Sequence, residues 1–366
     1  MADNPAALTV RSIRTVTVEV PMNLPLGTSA ATIRAAPLLL IEMETEQGVT
    51  GRSYLFCYLP AAAMAISALL GEVLRVVKGE TVAPAALWAR LAKRFTLIGV
   101  QGVVRMAMSG FDMACWDALA VAAQKPLASL LGGMPRPIPA YNSNGLGLME
   151  PEAAADEAEL LLAGGFRAVK LRLGHATLHA DLAAVRAVRK RLPDDVALMV
   201  DYNQALTVAE ALHRGRALDG EGVYWIEEPI RHDDYQGSAT LARELRTPLQ
   251  IGENFSLPWA MEEALRARAC DYVMPDVERI GGVTGWQRAA ALAAASGVEM
   301  SSHLFPELSA HLLSVTPTCH WLEFVDWASA ILAEPLRLSN GYAMPSVRPG
   351  AGIAWNHDAV ERYRVR

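Results

Sequence analysis

The sequence predicts an α/β protein: a modified TIM (β/α)7β barrel with an α+β N-terminal capping domain that the C-terminal tail completes. Two patterns predict this fold. Short β-like segments precede helical segments in the first third of the chain, and apolar strands then alternate regularly with amphipathic helices. We therefore expect a capping domain over residues 1–134, a barrel over residues 135–330, and a segment over residues 331–366 that returns to the cap.

The N-terminal region begins as a predicted antiparallel meander. Its apolar runs are separated by Gly and polar turns, and they cover residues 8–20, 37–44 and 49–54. Apolar residues then recur at helical spacing in residues 61–77 and 103–123. A group of strands followed by a group of helices indicates an α+β unit.

A segment rich in Gly and Pro, residues 131–137, marks the predicted domain boundary. Apolar strands alternate with amphipathic helices beyond it, as in a parallel β/α array. These strands are predicted at residues 168–173, 196–200, 223–226, 249–252, 272–274 and 298–301. Their ends recur at the interval of one strand plus one helix, which favours a closed barrel over a doubly wound sheet.

The composition narrows the classes of function. A net charge of -6 with scattered Lys and Arg residues argues against a nucleic-acid partner. The four cysteines form no C-x-x-C pair, so we expect reduced thiols and a cytoplasmic protein. We also expect no secretion signal and no membrane partner, because no apolar stretch approaches the roughly 20 residues that span a bilayer.

A polar residue occurs near the point where each predicted barrel strand stops. In chain order these residues are Lys170, Asp201, Glu227, Glu253, Asp276, His303 and Glu323. Because the carboxyl ends of barrel strands meet at one mouth, we expect these side chains to lie close together.

Three of these residues, Asp201, Glu227 and Glu253, end consecutive strands and form a candidate metal site. Their charges would repel one another strongly unless a cation lay among them. Hard oxygen ligands of this kind suit Mg²⁺. The alternative is that each carboxylate caps the helix that follows it.

Asp276 and His303 end neighbouring strands and form a candidate general base. The carboxylate can hold one imidazole nitrogen while the other nitrogen faces a substrate. The alternative is a structural histidine, which is how we interpret the other histidines of the chain.

Several strings at these strand ends form a joint pattern. They are VKLR (169–172), VDYNQ (200–204), WIEEP (225–229), IGEN (251–254), MPD (274–276) and SSHLF (301–305). Together they resemble the mandelate racemase subgroup of the enolase superfamily, and the likeness extends into the cap. This resemblance implies a Mg²⁺ enzyme that removes the proton from the carbon beside a substrate carboxylate.

The resemblance also implies roles for individual residues. Asn203 and Lys170 would hold the substrate carboxylate, and Ser143 would contact it from the first barrel strand. Glu323 would be a protonated acid that donates a hydrogen bond to the developing enediolate. The partner would be a small-molecule carboxylate, and relatives of this type suggest a homo-oligomer, either an octamer or another even-numbered assembly.

One position departs from the family pattern. The family's Lys-x-Lys motif is matched here by Lys170-Leu171-Arg172. Racemisation needs a second base on the opposite face of the substrate, and an arginine with a pKa above about 12 is a poor base. We expect Arg172 to be a charge clamp or a proton donor, which leaves His303 as the main base.

The cap segment between residues 24 and 37 predicts an apolar lid. Leu26, Ala30 and Ile33, together with Phe56 and Tyr58, favour an aryl or alkyl group beside the α-carbon, although ordinary cap packing would explain the same residues. The expected activity is that of a racemase or epimerase of a 2-hydroxy carboxylate. Dehydration of an acid sugar is one alternative, and a non-catalytic, metal-stabilised carboxylate-binding protein is another.

Overall fold

The computed structural model describes residues 7–28 and 32–365. An antiparallel sheet with the order β1-β2-β3 forms the base of the cap. Its strands are β1 Val10–Gly27, β2 Thr32–Thr45 and β3 Thr50–Phe56. β1 runs well beyond the predicted end at residue 20. It continues through Pro21 because an edge strand tolerates proline, and its register with β2 shifts between Pro21 and Leu26. Ala30, which we predicted for the lid, lies outside the described residues.

Helices pack on this sheet and complete the cap. They are α1 Pro60–Val77, α2 Pro84–Arg94, α3 Gly102–Ala122 and α4 Leu127–Leu130. α3 lies very close to β3, where a Cβ atom on Gly51 would lie 1.9 Å from the carbonyl oxygen of Ala114. Glycine is therefore needed at this point of contact between helix and sheet.

Helix α1 is the one helix in the described chain that is long and apolar enough, by length and composition, to cross a membrane. No such stretch was expected from the sequence. Its buried residues recur at helical spacing on one face: Ala63, Ile66, Leu70, Val73 and Val77. That pattern is typical of an amphipathic helix packed on a folded domain, and α1 contacts α3.

The second region is a closed barrel of parallel strands with helices outside it. Its strands are β4 Ile138–Asn142, β5 Ala168–Arg172, β6 Ala197–Asp201, β7 Val223–Glu227, β8 Leu249–Ile251, β9 Tyr272–Val273, β10 Glu299–Met300 and β11 Leu322–Phe324. Its helices are α5 Pro151–Leu160, α6 Leu178–Arg191, α7 Val208–Leu218, α8 Tyr235–Glu244, α9 Leu257–Ala267, α10 Val277–Ile280, α11 Gly282–Ser296 and α12 Pro306–Ser314.

Two sets of contacts close this barrel. β11 pairs with β4 in parallel register. The backbone of Met300 and Ser302 donates hydrogen bonds to the carbonyls of Thr318 and Trp321, which joins β10 to the segment that leads into β11. The (β/α)7β fold predicted from the sequence is confirmed.

Five of the seven residues predicted at strand ends lie elsewhere, and three of them, Glu253, Asp276 and His303, lie two or three residues beyond their strands. Lys170 lies in the middle of β5, and Glu323 lies in the middle of β11. Lys170 and Arg172 are two residues apart on one strand, so their side chains point to the same face. Both lysine and glutamate have side chains long enough to reach the group at the barrel mouth, where Lys170 lies 2.8 Å from Glu323.

The C-terminal segment contacts both the barrel and the cap. Its elements are β12 Arg337–Ser339, β13 Tyr342–Met344 and α13 His357–Tyr363, with a 3-10 turn at Ser329–Ile331 before them. β13 pairs with β4 in antiparallel register. The backbone of Val365 donates to Thr17 in β1, and the backbone of Ala351 donates to Asp117 in α3. The domain limits at residues 134 and 330 remain predictions.

Candidate active site

Three carboxylates converge at the mouth of the barrel. Asp201 and Glu227 are the last residues of β6 and β7 and are register partners, while Glu253 follows β8. Each of the three offers an oxygen that lies within 4.8 Å of the others. Gly252 has a φ of 133°, and a Cβ atom there would lie 2.6 Å from the ring of Phe255, so glycine permits the turn that presents Glu253.

The Lys170 ammonium lies among these acids. Its Nζ is 2.5 Å from Glu227, 2.8 Å from Glu323 and 3.3 Å from Asp201. Burial alone would lower the pKa of Lys170, but the surrounding carboxylates, Glu227 foremost, raise that pKa well above its usual value. The side chain is therefore a fixed positive charge inside the barrel mouth.

The Lys170 ammonium lowers the pKa values of the acids beside it. Burial would raise the pKa of Glu323, but Lys170 outweighs burial and lowers that pKa to about 2. Burial raises the pKa of Glu227, and Lys170 opposes that rise. This shift is opposite in direction to that of the protonated acid implied by the family resemblance, so the catalytic role of Glu323 stays a prediction.

His303 is held by a carboxylate on one side and faces other acids on the opposite side. Its Nδ1 lies 2.7 Å from Oδ2 of Asp276, whose other oxygen accepts the backbone N–H of Glu278. The Nε2 atom is 3.3 Å from Glu253 and 3.9 Å from Glu323. Burial would lower the pKa of His303, but Glu253, Glu323 and Asp276 raise it to about 9.

Arg172 is fixed by three acceptors on the loop that follows β4. Its guanidinium donates to the carbonyl of Gly145 at 2.7 Å, to the carbonyl of Ser143 at 3.2 Å and to the Ser143 hydroxyl at 3.1 Å. These oxygens accept hydrogen bonds from a charged guanidinium, which is the state that arginine keeps in proteins. Ser143 thus contacts Arg172, and its predicted contact with a substrate carboxylate stays a prediction.

These groups surround one cavity of about 260 Å³ between the barrel and the cap. Its polar wall contains Lys170, Arg172, Asp201, Asn203, Gln204, Glu253, Asn254, Arg279, His303 and Glu323. Its less polar wall contains Leu26, Thr28, Ile33, Tyr58, Leu304, Val325 and Trp327. A ligand in this cavity would therefore contact acids, cations and apolar side chains together.

The predicted lid residues occupy different positions. Leu26, Ile33 and Tyr58 line the cavity. Phe56 is fully buried behind it, with its ring 4.3 Å from that of Tyr58 and 3.7 Å from that of Trp327. Phe56 therefore supports the wall, and its predicted contact with substrate stays a prediction.

Several residues of this site were not predicted from the sequence. Asn254 and Arg279 line the cavity and donate or accept hydrogen bonds there, and Trp327 forms part of its apolar wall. Asn254 directly follows Glu253, and Arg279 follows Asp276 within one helical turn. Proximity to a predicted site acid was the available signal for both residues. Trp327 carried no comparable signal.

The acid cluster fits a magnesium ion. Asp201 and Glu227 are almost completely buried, and the single Lys170 ammonium does not balance three converging carboxylates, so a further cation would offset their repulsion. All three candidate ligands are hard oxygens, as Mg²⁺ prefers. Asn203 lies beside them, and its backbone and side-chain N–H groups donate to Asp201 at 2.8 and 3.1 Å, which orients that carboxylate.

Comparison with known proteins identifies relatives over nearly the whole chain. Residues 10–132 match the N-terminal domain of the mandelate racemase / muconate lactonizing enzyme family, and residues 153–359 match the enolase C-terminal domain-like family. An enolase structure from the alpha-proteobacterium bal199, with bound magnesium, has 46% sequence identity and a TM-score of 0.96, over 98% of this chain and 100% of that one.

An enolase structure from Bradyrhizobium, complexed with magnesium and mandelic acid, has 42% identity and a TM-score of 0.94 over 99% of both chains. Among curated proteins, 3,6-anhydro-alpha-L-galactonate cycloisomerase from Streptomyces coelicolor is 32% identical over 90% of this chain and 91% of its own length. Further relatives are sugar-acid dehydratases.

Proposed function

Because the chain belongs to the mandelate racemase / muconate lactonizing enzyme family of the enolase superfamily, we propose that it removes the α-proton of a small 2-hydroxy carboxylate in a Mg²⁺-dependent reaction. One observation carries the proposal. His303, whose Nδ1 is paired with Asp276, lines the same cavity as Asp201 and Glu253, so a carboxylate bound near those acids would place its α-carbon within reach of an imidazole.

Asp201, Glu227 and Glu253 would hold the magnesium ion. The ion would supply positive charge to the substrate carboxylate, on which negative charge develops as the α-proton leaves. Lys170 adds a second, permanent positive charge at the same place, and Asn203 offers an amide beside it. An α-proton beside a carboxylate is very weakly acidic, so its removal needs these positive groups together.

His303 would accept the α-proton at Nε2. Asp276 accepts a hydrogen bond from Nδ1, which fixes the ring orientation and leaves Nε2 facing the cavity. Glu253 and Glu323 raise the pKa of His303, and Glu253 is also a proposed ligand of the metal, whose charge would offset that of the acid.

The apolar wall favours a flat or branched apolar group on the substrate. Leu26, Ile33 and Trp327 line the same cavity, and the side chains of Leu26 and Ile33 offer no hydrogen bond to a polyol. The Bradyrhizobium relative binds mandelic acid, which is a 2-hydroxy acid with an aryl group on the α-carbon. We therefore propose racemisation or epimerisation of an aryl or alkyl 2-hydroxy acid.

A second candidate, dehydration of an acid sugar, is favoured by Arg172. Three oxygens of one loop hold its guanidinium as a donor, which leaves a single good base for the reaction. Removal of the α-proton followed by loss of the hydroxyl group from the next carbon needs a base on one face only. Curated dehydratases among the relatives fit this reading.

The test is to incubate the protein with Mg²⁺ in D₂O and follow the α-proton of each candidate acid by NMR. We expect Mg²⁺-dependent exchange with R- or S-mandelate, and its loss in His303→Asn. Formation of a 2-keto-3-deoxy acid from an acid sugar would instead establish dehydration. Binding of Mg²⁺ and carboxylates without exchange or product, across a broad panel, would overturn the proposal in favour of a non-catalytic binding protein. Homo-oligomerisation and a cytoplasmic location stay predictions.

A further inference from the structure

We propose that Arg279 is a positioning residue that couples Tyr58 of the cap to Glu253 of the barrel. The inference rests on the proposed function, because it takes Glu253 as a ligand of Mg²⁺. It concerns two hydrogen-bond steps that connect the edge of the cap to the acid cluster and that no sequence pattern singled out.

The first step joins the cap to the barrel. Nη2 of Arg279 donates to the hydroxyl of Tyr58 at 2.5 Å, and the guanidinium carbon lies 5.1 Å from the centre of the same ring. Tyr58 belongs to the loop between β3 and α1. Arg279 lies on α10, the short helix that begins directly after Asp276. A charged hydrogen bond and a cation–π contact therefore act on one tyrosine.

The second step joins Arg279 to the acid cluster. Nη1 of Arg279 donates to Oδ1 of Asn254. The amide nitrogen of Asn254 donates to Glu228 at 2.8 Å and to Glu253 at 3.2 Å. The guanidinium thus fixes which end of the Asn254 amide faces the acids. A flipped amide would place its oxygen beside both carboxylates and would lose the hydrogen bond from Arg279.

Arginine is suited to this position by its shape. Its planar fork holds two N–H groups at a fixed angle, so one residue serves Tyr58 and Asn254 at once. A lysine keeps the charge but is a single point donor on a flexible stem, so it cannot reproduce both contacts in one geometry. Arg279→Lys therefore removes the two fixed N–H donors and keeps the positive charge.

The tyrosine end of the connection is under conformational strain. Tyr58 has a φ of 59°, in the left-handed region that non-glycine residues rarely occupy. Its ring contacts with Phe56 and its bond to Arg279 offset this cost and keep the side chain at the cavity wall. Loss of the Tyr58 hydroxyl should therefore release Arg279 and, through Asn254, loosen Glu253.

The test measures Mg²⁺ binding by calorimetry on the intact protein without any substrate. We expect Arg279→Lys to weaken Mg²⁺ binding about tenfold, the lower end of the effect of residues that orient metal ligands. Tyr58→Phe, which removes a single oxygen, should weaken it about threefold. The double variant should bind no more weakly than Arg279→Lys, because both changes break the same connection.

A matched control is Arg266→Lys. Arg266 lies on the exposed face of α9 and pairs with Glu262 at 2.6 Å, away from the cavity. It should bind Mg²⁺ as the unmodified protein does. If α-proton exchange is measurable, Tyr58→Phe should raise KM and Arg279→Lys should raise KM and lower kcat together.

The proposal is overturned if Tyr58→Phe leaves the Mg²⁺ dissociation constant unchanged. It is also overturned if the dissociation constant of the double variant rises by the product of the two single effects. If Arg279→Lys does not fold, Mg²⁺ binding by Tyr58→Phe alone tests the proposal. Mg²⁺ binding without α-proton exchange would reject the proposed function and still allow this test. An unmodified protein that does not bind Mg²⁺ at all would reject both.

Discussion

His303 and Asp276 meet at the barrel mouth although 27 residues separate them, with Nδ1 of the imidazole 2.7 Å from Oδ2 of the carboxylate. A parallel backbone bridge joins the same two residues. The second oxygen of Asp276 accepts the backbone N–H of Glu278, so the carboxylate cannot turn without losing a helix cap. The imidazole is therefore oriented by a side chain that is itself fixed.

Asp276→Asn should lower the rate of α-proton exchange by about 10² to 10⁴, the usual contribution of a positioned general base. An amide in place of the carboxylate would stabilise the wrong tautomer of His303 or lose the bond to Nδ1. NMR exchange rates in D₂O measure the effect, and circular dichroism checks the fold. The exposed Asp358→Asn should leave the rate unchanged, and a loss of less than about tenfold in Asp276→Asn would contradict the assignment.

Arg172→Lys should speed the exchange of the second enantiomer. The unmodified protein is expected to exchange one enantiomer of its 2-hydroxy acid faster than the other, because three loop oxygens accept hydrogen bonds from Arg172 and arginine is a poor base. A lysine at this position can lose its proton and restores the family's Lys-x-Lys pattern. Equal exchange of both enantiomers by the unmodified protein would show that another group acts as the second base.

Removal of the metal should lower thermal stability, and added Mg²⁺ should restore it. Mg²⁺ at one hundred times its dissociation constant contributes about 2.7 kcal/mol, if it binds only the folded chain. Glu253→Gln should weaken Mg²⁺ binding at least about tenfold, because it removes one of three converging charges. Glu262→Gln, on the exposed face of α9, is the matched control. If added Mg²⁺ raised the Tm of Glu253→Gln as much as that of Glu262→Gln, the result would contradict the proposed metal site.

The barrel could be predicted because its strands are local patterns. Each predicted strand is a short apolar run, and the barrel topology then brings their ends together whatever the intervening sequence. Asp201 and Glu227 thus reach one mouth because both end their strands, and Glu253 because it follows its strand after Gly252. Lys170 and Glu323 were placed near the right point but inside their strands, since a pattern of apolar runs does not fix a strand end to one residue.

The remaining residues of the site depend on contacts that the sequence does not encode locally. Arg279 and Tyr58 are 221 residues apart in the chain, and the distance from Arg279 to Asn254 is 25 residues. Neither pairing follows from the period of an element. The length of β1 was missed for a related reason: Pro21 usually ends a strand, and it is accepted here only because β1 lies at the edge of the cap sheet.

Asp112 should make stability depend on pH at the contact between cap and barrel. It lies on α3, accepts the backbone N–H of Thr284 at 2.9 Å and the Thr284 hydroxyl at 2.5 Å, and so caps the start of α11. Burial raises the pKa of Asp112 to about 7, although its hydrogen bonds with Thr284 and the nearby Arg288 act in the opposite direction.

Since the folded pKa lies above the unfolded value of about 3.9, the folded protein holds the extra proton between these values. The contribution of Asp112 to stability is complete below about pH 4 and is lost as the pH rises through about 7. Asp112→Asn cannot titrate, so the Tm of the unmodified protein minus that of the variant should be smaller at about pH 8 than at about pH 5. Asp358→Asn, which changes an exposed acid, should show no such trend, and a difference in Tm that is the same at both pH values would place the titration of Asp112 outside this range.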